Sequence, residues 1–523
     1  MENNQNPYNQ PPMGPMMPPQ GHMFQRMPLR QRVMNRARRM QDVFPRWLSI
    51  YPIVIYILAL IVVTFMYSAY SLPWYYFISG VIAVLVFFLY GSSVVQNTSL
   101  DQISKTRRFE KRIFLIAFIP RVLFTIILFW IFQSNYGDAF GFENSDADGY
   151  NNIGKYVAIL ISKGKFLFFD ELSQYMGRDD ISDMGYPVYV GFIYWLTDNS
   201  IIAVRLLKCV WSSLTVLLLY RLAKRNFGEQ TARVAAIFCA LWPNFWYYCT
   251  CHLKEVEMVF LTVLFIEQAD QMLRSRQFTA WKIIPILLII AMLFTLRTVL
   301  AIVCILSILI VIVMASSKVV SWGKRIIVGG LTIVFLGFAA GERIEETAMG
   351  LIEQSQGDYQ KDNMAWRAER KDASGNTQSF AKYAGAAVFA PMIFTLPFPT
   401  MVRPFEGQEG QQLLNGGYFA KNILSFFTIF AMVILLITGK WREHVLSLSF
   451  LLGYLVVLIM SVFAQAERFH QPAMPFEFMF AAYGLSIAVT KPKYKRWFTY
   501  WCGVMFIACV AWNWFKLAGR GLI

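Results

Sequence analysis

About 13 times along this chain the sequence returns to an apolar run that is close to, or somewhat below, the roughly 20 residues needed to span a bilayer. The runs start near Trp47, Pro73, Ile113, Ser200, Val234, Val256, Ile283, Thr298, Ile326, Tyr418, Val445, Pro472 and Trp497. They predict an all-α polytopic membrane protein, because a helix satisfies its own backbone polar groups where no water can. The two runs flanking Arg297 are the shortest. Of the 523 residues, 56% are hydrophobic and 15% charged, whereas soluble domains carry about 25% charge. The net charge of +16 could point to nucleic acid. The Lys and Arg, however, sit in short clusters between the apolar runs and not on one face, so no nucleic-acid partner is expected.

Those clusters orient the chain. Arg26, Arg30, Arg32, Arg36, Arg38, Arg39 and Arg46 precede the first run and place the N-terminus in the cytoplasm. Alternation then puts the clusters around Arg107, Lys224, Arg274, Lys324, Arg442 and Lys493 on the same side. The resulting divisions are a disordered basic tail (1–46), two N-terminal helices (47–112), a core (113–340) with an outer loop at 134–199, a second outer loop (341–417), and C-terminal helices (418–523). The opening stretch MENNQNPYNQPPMGPMMPPQG is too polar for a cleavable signal and cannot build a core. Within the loops, YPVYVGFIYWL is too short to span and reads as an interfacial amphipathic segment, and the short, Pro-rich VFAPMIFTLPFPTMV reads as interfacial or re-entrant. The seven cysteines lie mostly in apolar runs and read as small hydrophobes.

Three groups of polar residues fall at the outer helix ends. In NSDADGYNNIGKYVAIL, Asp146 or Asp148 can cap the helix that follows or serve as a general base. Their i, i+2 spacing lets only one face a given site; Tyr150 stands close by. In YYCTCHLKEVEMVF, His252, Lys254, Glu255 and Glu257 can form an interfacial belt with snorkelling charges. Acidic residues opening an apolar helix are nonetheless costly unless paired or facing a cavity. In AQAERFHQPAMPF, Arg468 either pairs with Glu467 or grips a phosphate through its planar fork. Arg297 is a further outward cation. No HxxH, HExxH or DxD pattern accompanies His470; a divalent cation is compatible with the sequence but has no ligand signature.

The order of these pieces resembles the GT-C-fold glycosyltransferases that use polyprenyl-phosphate sugars, the group containing the protein O-mannosyltransferases of glycosyltransferase family 39 and the lipid A aminoarabinose transferases. SDADGY is similar to the outer-loop Asp motif of that group. GYPVYVGFIYWLTDNSIIAVRLLKCVWSSLTVLLLYRLAKRNFGEQTARVAAIFCALWPN, HLKEVE and ERFHQPAMPF follow in the same order. The chain departs from the usual plan in its two extra N-terminal helices and in SDADGY standing for a plain Asp-Glu pair. The resemblance implies a GT-C-like bundle, a polyprenyl-phosphate-linked sugar donor, a glycan, lipid or protein acceptor, and an inverting displacement at the outer face of a bacterial plasma membrane. It implies Asp146 as base, with Asp148 second. Arg468, then Lys254 and Arg297, would hold the phosphate, and Glu255 or Glu257 would orient the acceptor or Lys254. Tyr150 and His252 complete the expected substrate-binding set. A repeat-unit polymerase or ligase could instead use Arg367 and Arg370 of the second loop. A transporter would need ionisable groups near the bilayer midplane, and only Glu267 and Asp270, near an inner helix end, come close.

Overall fold

The computed structural model of the protein describes residues 44–100, 106–330 and 390–523, with omissions at 138, 141–144, 167, 178–180, 276–279, 316–319, 322, 324–325, 404–408, 462–465, 491 and 519–521, and an isolated residue 349. The basic tail, Arg367, Arg370 and most of the run near Ile326 lie outside the described residues. In chain order the helices are α1 (Arg46–Met66), α2 (Trp74–Asn97) and α3 (Thr106–Tyr136), followed by three shorter ones, α4 (Ser145–Ser162), α5 (Phe169–Met176) and α6 (Gly185–Thr197). Then come α7 (Ile201–Phe227), α8 (Glu229–Leu241), α9 (Pro243–Thr250), α10 (Glu255–Arg274), α11 (Ile283–Leu296) and α12 (Thr298–Met314). The C-terminal part holds α13 (Asn415–Ile437), α14 (Val445–Met460), α15 (Glu467–His470), α16 (Met474–Ala488) and α17 (Pro492–Ala518).

Six of these, α1, α2, α3, α7, α13 and α17, are long and apolar enough to cross a membrane. Four more, α11, α12, α14 and α16, are apolar but have only 14 to 17 residues. At 1.5 Å per residue they reach about 21–26 Å, short of a hydrocarbon core of about 30 Å. The chain is therefore an all-α membrane protein whose apolar runs do not all become full-length spans. The run near Val234 stops at Trp242, where Pro243 starts a new helix. The run near Val256 becomes a 20-residue helix that carries Glu255, Glu257, Glu267, Asp270 and Arg274. Large apolar side chains such as Phe65, Leu123, Ile127 and Ile507 stand exposed along the long helices, as a lipid-facing surface requires.

The break at Pro243 shows how the interior is satisfied. A proline has no N–H, so the Cys239 carbonyl loses the donor that the next helical turn would supply. Arg121, fully buried in the middle of α3, replaces it. Its Nη2 donates to the Cys239 oxygen at 3.1 Å and its Nη1 to the Ala240 oxygen at 3.0 Å. Its Nε reaches Ser212 on α7 at 2.9 Å and Nη1 also bonds the Ala117 oxygen at 2.7 Å. One side chain thus ties α3, α7 and α8 together.

Residues 396–403 run as an irregular, mostly buried strip against the bundle. Apart from the single bridge of Val402 to Ser71, the strip has no strand partner among the described residues. Side chains take the place of a neighbouring strand. Asn415 pairs with both the N–H and the carbonyl of Thr400 (2.9 and 2.7 Å). Asn513 accepts from the Met401 N–H at 2.6 Å and donates to the Pro399 carbonyl at 3.2 Å. Lys421 donates to the Leu396 carbonyl at 2.7 Å. A buried amide or carbonyl left alone costs about 1–3 kcal/mol, so this ladder is what permits non-helical backbone inside the bundle.

Arg121→Met is expected to lower stability by at least about 2 kcal/mol, read as a depressed Tm of the detergent-solubilised protein. Arg108→Met, exposed on the same helix, should leave Tm unchanged. Equal Tm values for the two variants would show that Arg121 does not satisfy the α8 carbonyls.

Candidate functional site

At the end of the bundle where α10 begins, charged side chains from four separate segments converge. The first is the start of α4. This helix lies against α6 at a glycine contact: a Cβ on Gly154 would meet Val190 at 2.6 Å, and one on Gly191 would meet Val157 at 2.5 Å. The Tyr194 hydroxyl adds a 2.7 Å hydrogen bond to Asn151. Close approach at small residues, locked by one polar contact, fixes where the first turn of α4 points.

That turn holds both aspartates. Because α4 begins at Ser145, neither Asp146 nor Asp148 precedes the helix as a cap; both lie inside its first turn. Their i, i+2 spacing sends them to opposite sides. Asp146 Oδ2 sits 2.8 Å from Nη2 of Arg468 on α15. Asp148 stays exposed and accepts a 3.3 Å hydrogen bond from Asn152.

Arg468 is held from a second direction. Its Nε lies 2.8 Å from Oε1 of Glu255, in the first turn of α10. The side chains differ sharply in exposure: 48% for Asp146, 20% for Arg468 and 1% for Glu255. Neither Glu255 oxygen has a well-aligned hydrogen-bond donor among the described residues, so its charge is compensated by proximity to Arg468. Breaking a buried pair costs about 3–5 kcal/mol, whereas solvated pairs contribute about 0–1 kcal/mol. Glu255 is thus the firm partner and Asp146 the loose one. Burial alone would lower the Arg468 guanidinium, but Glu255 and Asp146 outweigh it and push it up.

Two more cations join the cluster. Arg297 is the single extended residue between α11 and α12 (φ −163°), and its guanidinium stacks 4.4 Å from the Phe469 ring centroid. Arg468 approaches the same ring at 5.2 Å. Lys254, just before α10, donates to the Leu296 carbonyl at 2.8 Å and touches the Asp183 carboxylate. Burial, then Arg297, push its pKa down to about 7. The Asp183 carboxylate in direct contact favours the ammonium form. Tyr150, one turn beyond Asp146, packs edge-on against Tyr186 at 5.0 Å, and burial, then Glu255, push its phenol up.

Of the residues singled out in the sequence, the fold brings together Asp146, Tyr150, Lys254, Glu255, Arg297 and Arg468. It sets Glu257 and His252 apart. Glu257 is two residues past Glu255, on the other side of α10, and pairs with buried Lys208 of α7 at 3.0 Å. Lys208 also donates to the Leu253 carbonyl. His252 lies in an aromatic setting of Phe140, Tyr186 and Tyr194, with ring centroids 5.8–6.1 Å away, and burial pushes its pKa well down. The alternative pairing of Arg468 with Glu467 does not form. Adjacent helical residues diverge by about 100°, and Glu467 turns to accept from Asn244 (2.9 Å), Tyr248 (2.7 Å) and Gln471. Burial pushes its carboxyl up to about 7. Asp183 was not among the sequence candidates; it sits in an acidic loop, on left-handed backbone (φ 70°). Among the described residues no group of three or more His, Cys, Asp or Glu could hold a metal ion.

The opposite ends of α7 and α10 carry a separate lattice. Arg225 bonds Glu267 at 2.7 Å and Asp270 at 3.0 Å, and Arg274 bonds Asp270 at 2.8 Å. The two carboxylates that a transporter would draw on are therefore neutralised by structural arginines.

Residues 186–340 match the family model described as dolichyl-phosphate-mannose-protein mannosyltransferase. The match supports a glycosyltransferase of GT-C fold. No curated protein matches the chain. The matched segment contains Lys254, Glu255 and Arg297, while Asp146 and Arg468 reach the cluster from either side of it.

Lys208→Met strands Glu257 and is expected to cost about 3–5 kcal/mol, seen as a large fall in Tm. Lys208→Met combined with Glu257→Met should recover most of that loss. A double variant no more stable than the single one would argue that Glu257 has a role beyond pairing.

Proposed function

We propose that the chain transfers a sugar from a polyprenyl phosphate to an acceptor hydroxyl, on a protein, lipid or glycan, at the outer face of the membrane. The observation that carries this reading is the convergence of one half-exposed carboxylate, Asp146, with three cations, Arg468, Arg297 and Lys254, at one bundle end. The acceptor oxygen attacks the anomeric carbon. The new C–O bond forms as the bond to the phosphate oxygen breaks, and the polyprenyl phosphate departs with the bonding electrons. Asp146 takes the acceptor proton, with Asp148 as the second choice for this role. The single displacement inverts the anomeric centre. Negative charge grows on the leaving phosphate, so cations already in place stabilise the transition state without reorganising. Arg468 is the first of these, because its fork matches a phosphate edge.

In this reading the bundle crosses the membrane about 13 times, with the N-terminus in the cytoplasm of a bacterial cell. The lipid tail of the donor lies in the bilayer and its head reaches the cluster. The same outer end binds the acceptor, near Glu255 and Tyr150.

Purified protein incubated with radiolabelled polyprenyl-phosphate sugars and a hydroxyl acceptor should release lipid phosphate and label the acceptor. Asp146→Asn should reduce transfer by about 100-fold or more while still binding the donor. Arg468→Ala should bind it more weakly. Full activity in both Asp146→Asn and Asp148→Asn would refute the base assignment.

A further inference from the structure

The pairing that identifies the site also presents a difficulty. A carboxylate locked to an arginine is a poor proton acceptor, and an arginine locked to two carboxylates is a poor phosphate ligand. Both functions are hindered by the same 2.8 Å contact between Asp146 and Arg468. Glu255 contacts the guanidinium at Nε, a separate nitrogen that is buried. The outer edge of Arg468, where Asp146 sits, is the one a phosphate entering from solvent or from the bilayer surface would meet.

We infer that Asp146 is the exchangeable partner of Arg468 and Glu255 its permanent one, so that the phosphate of the lipid donor, on taking the outer edge of Arg468, frees the base. This rests on the function proposed above and adds an order to it. Glu255 is a positioning residue: almost fully buried, it keeps its arginine. Asp146 is half exposed and water can solvate it once displaced. Removal of the negative phosphate from the reach of Asp146 is not needed, because Arg297, which shares the Phe469 ring with Arg468, offsets part of the added charge. Without a donor, one oxygen of the base is held on Arg468 and the acceptor meets a hindered proton acceptor. With a donor, base and electrophile appear together. Donor binding therefore precedes productive acceptor binding.

The test is the affinity of the full-length detergent-solubilised protein for a synthetic polyprenyl phosphate, measured by calorimetry. If Asp146 competes with phosphate for Arg468, Asp146→Asn should bind the lipid phosphate about fivefold more tightly, the equivalent of a solvated ion pair. Asp148→Asn, which removes a charge from the same turn without touching Arg468, should bind like the wild type. In an Arg468→Gln background, Asp146→Asn should bring no gain, since the coupling vanishes with the shared partner. Glu255→Gln leaves Arg468 to Asp146 alone. It should raise the donor KM with little change in kcat at saturation, and Glu255→Asp should restore KM in part. Unchanged or weaker binding by Asp146→Asn overturns the inference, as does an equal gain in Asp148→Asn or a gain that survives Arg468→Gln. A failure of the proposed function looks different: Asp146→Asn would then transfer sugar normally, or Arg468→Gln would bind the lipid phosphate as well as the wild type.

Discussion

Arg468 stands between a buried carboxylate and an exposed one, and the arrangement of the bundle end follows from that. Glu255 cannot remain charged in its position unless a cation stays with it. The requirement fixes α15 against the first turn of α10 and so sets where the guanidinium points. Asp146 then meets Nη2 of the same group and brings the first outer helix onto the bundle. Arg297 and Arg468 share the Phe469 ring, so α11 and α12 are drawn to the same place. Two guanidiniums held this close repel each other, and the carboxylates and the aromatic face are what make the cluster tolerable.

Behind the cluster the bundle is organised by the need to satisfy polar groups away from water. Arg121 supplies the donors that Pro243 takes from α8. The strip at residues 396–403 is held by Asn415, Asn513 and Lys421 in place of a strand. Lys421 also meets His470 at 2.8 Å, and His470 closes the helix that carries Arg468. Glu467 anchors that same helix to α9 through Asn244 and Tyr248. Arg468 thus projects from a short segment fixed on both sides, the preorganisation that its proposed role toward the donor phosphate requires.

Much of this was legible in the sequence, and the rest was not for identifiable reasons. Apolar runs announced the helices, because hydropathy is a local property. They overstated the length of several, because a run can contain a break such as Trp242-Pro243 that only shows once the chain is folded, whereas the joint at Arg297 was already marked by the charge between two short runs. The fold gathers Asp146, Lys254, Glu255, Arg297 and Arg468, all of which were visible as polar residues at helix ends. Their sorting was not visible. Glu255 and Glu257 differ by two positions, and which of them faces Arg468 depends on the rotation of α10 against α7. Glu467 adjoins Arg468 in sequence but points toward α9. Asp183 was hidden among several loop acids. The resemblance to lipid-linked-sugar transferases rested on motif order, and the family match over residues 186–340 supports it.

The claim most in need of a direct measurement is that this cluster receives the phosphate of the donor. Electron cryomicroscopy of the full-length protein with polyprenyl phosphate bound addresses it. The phosphate is expected within hydrogen-bonding distance of Arg468, with Arg297 and Lys254 beside it and Asp146 turned away. A phosphate found at the opposite end of the bundle, against Arg225 and Arg274, would contradict the assignment, as would one found at the bundle end near α10 with Arg468 still closed by both carboxylates.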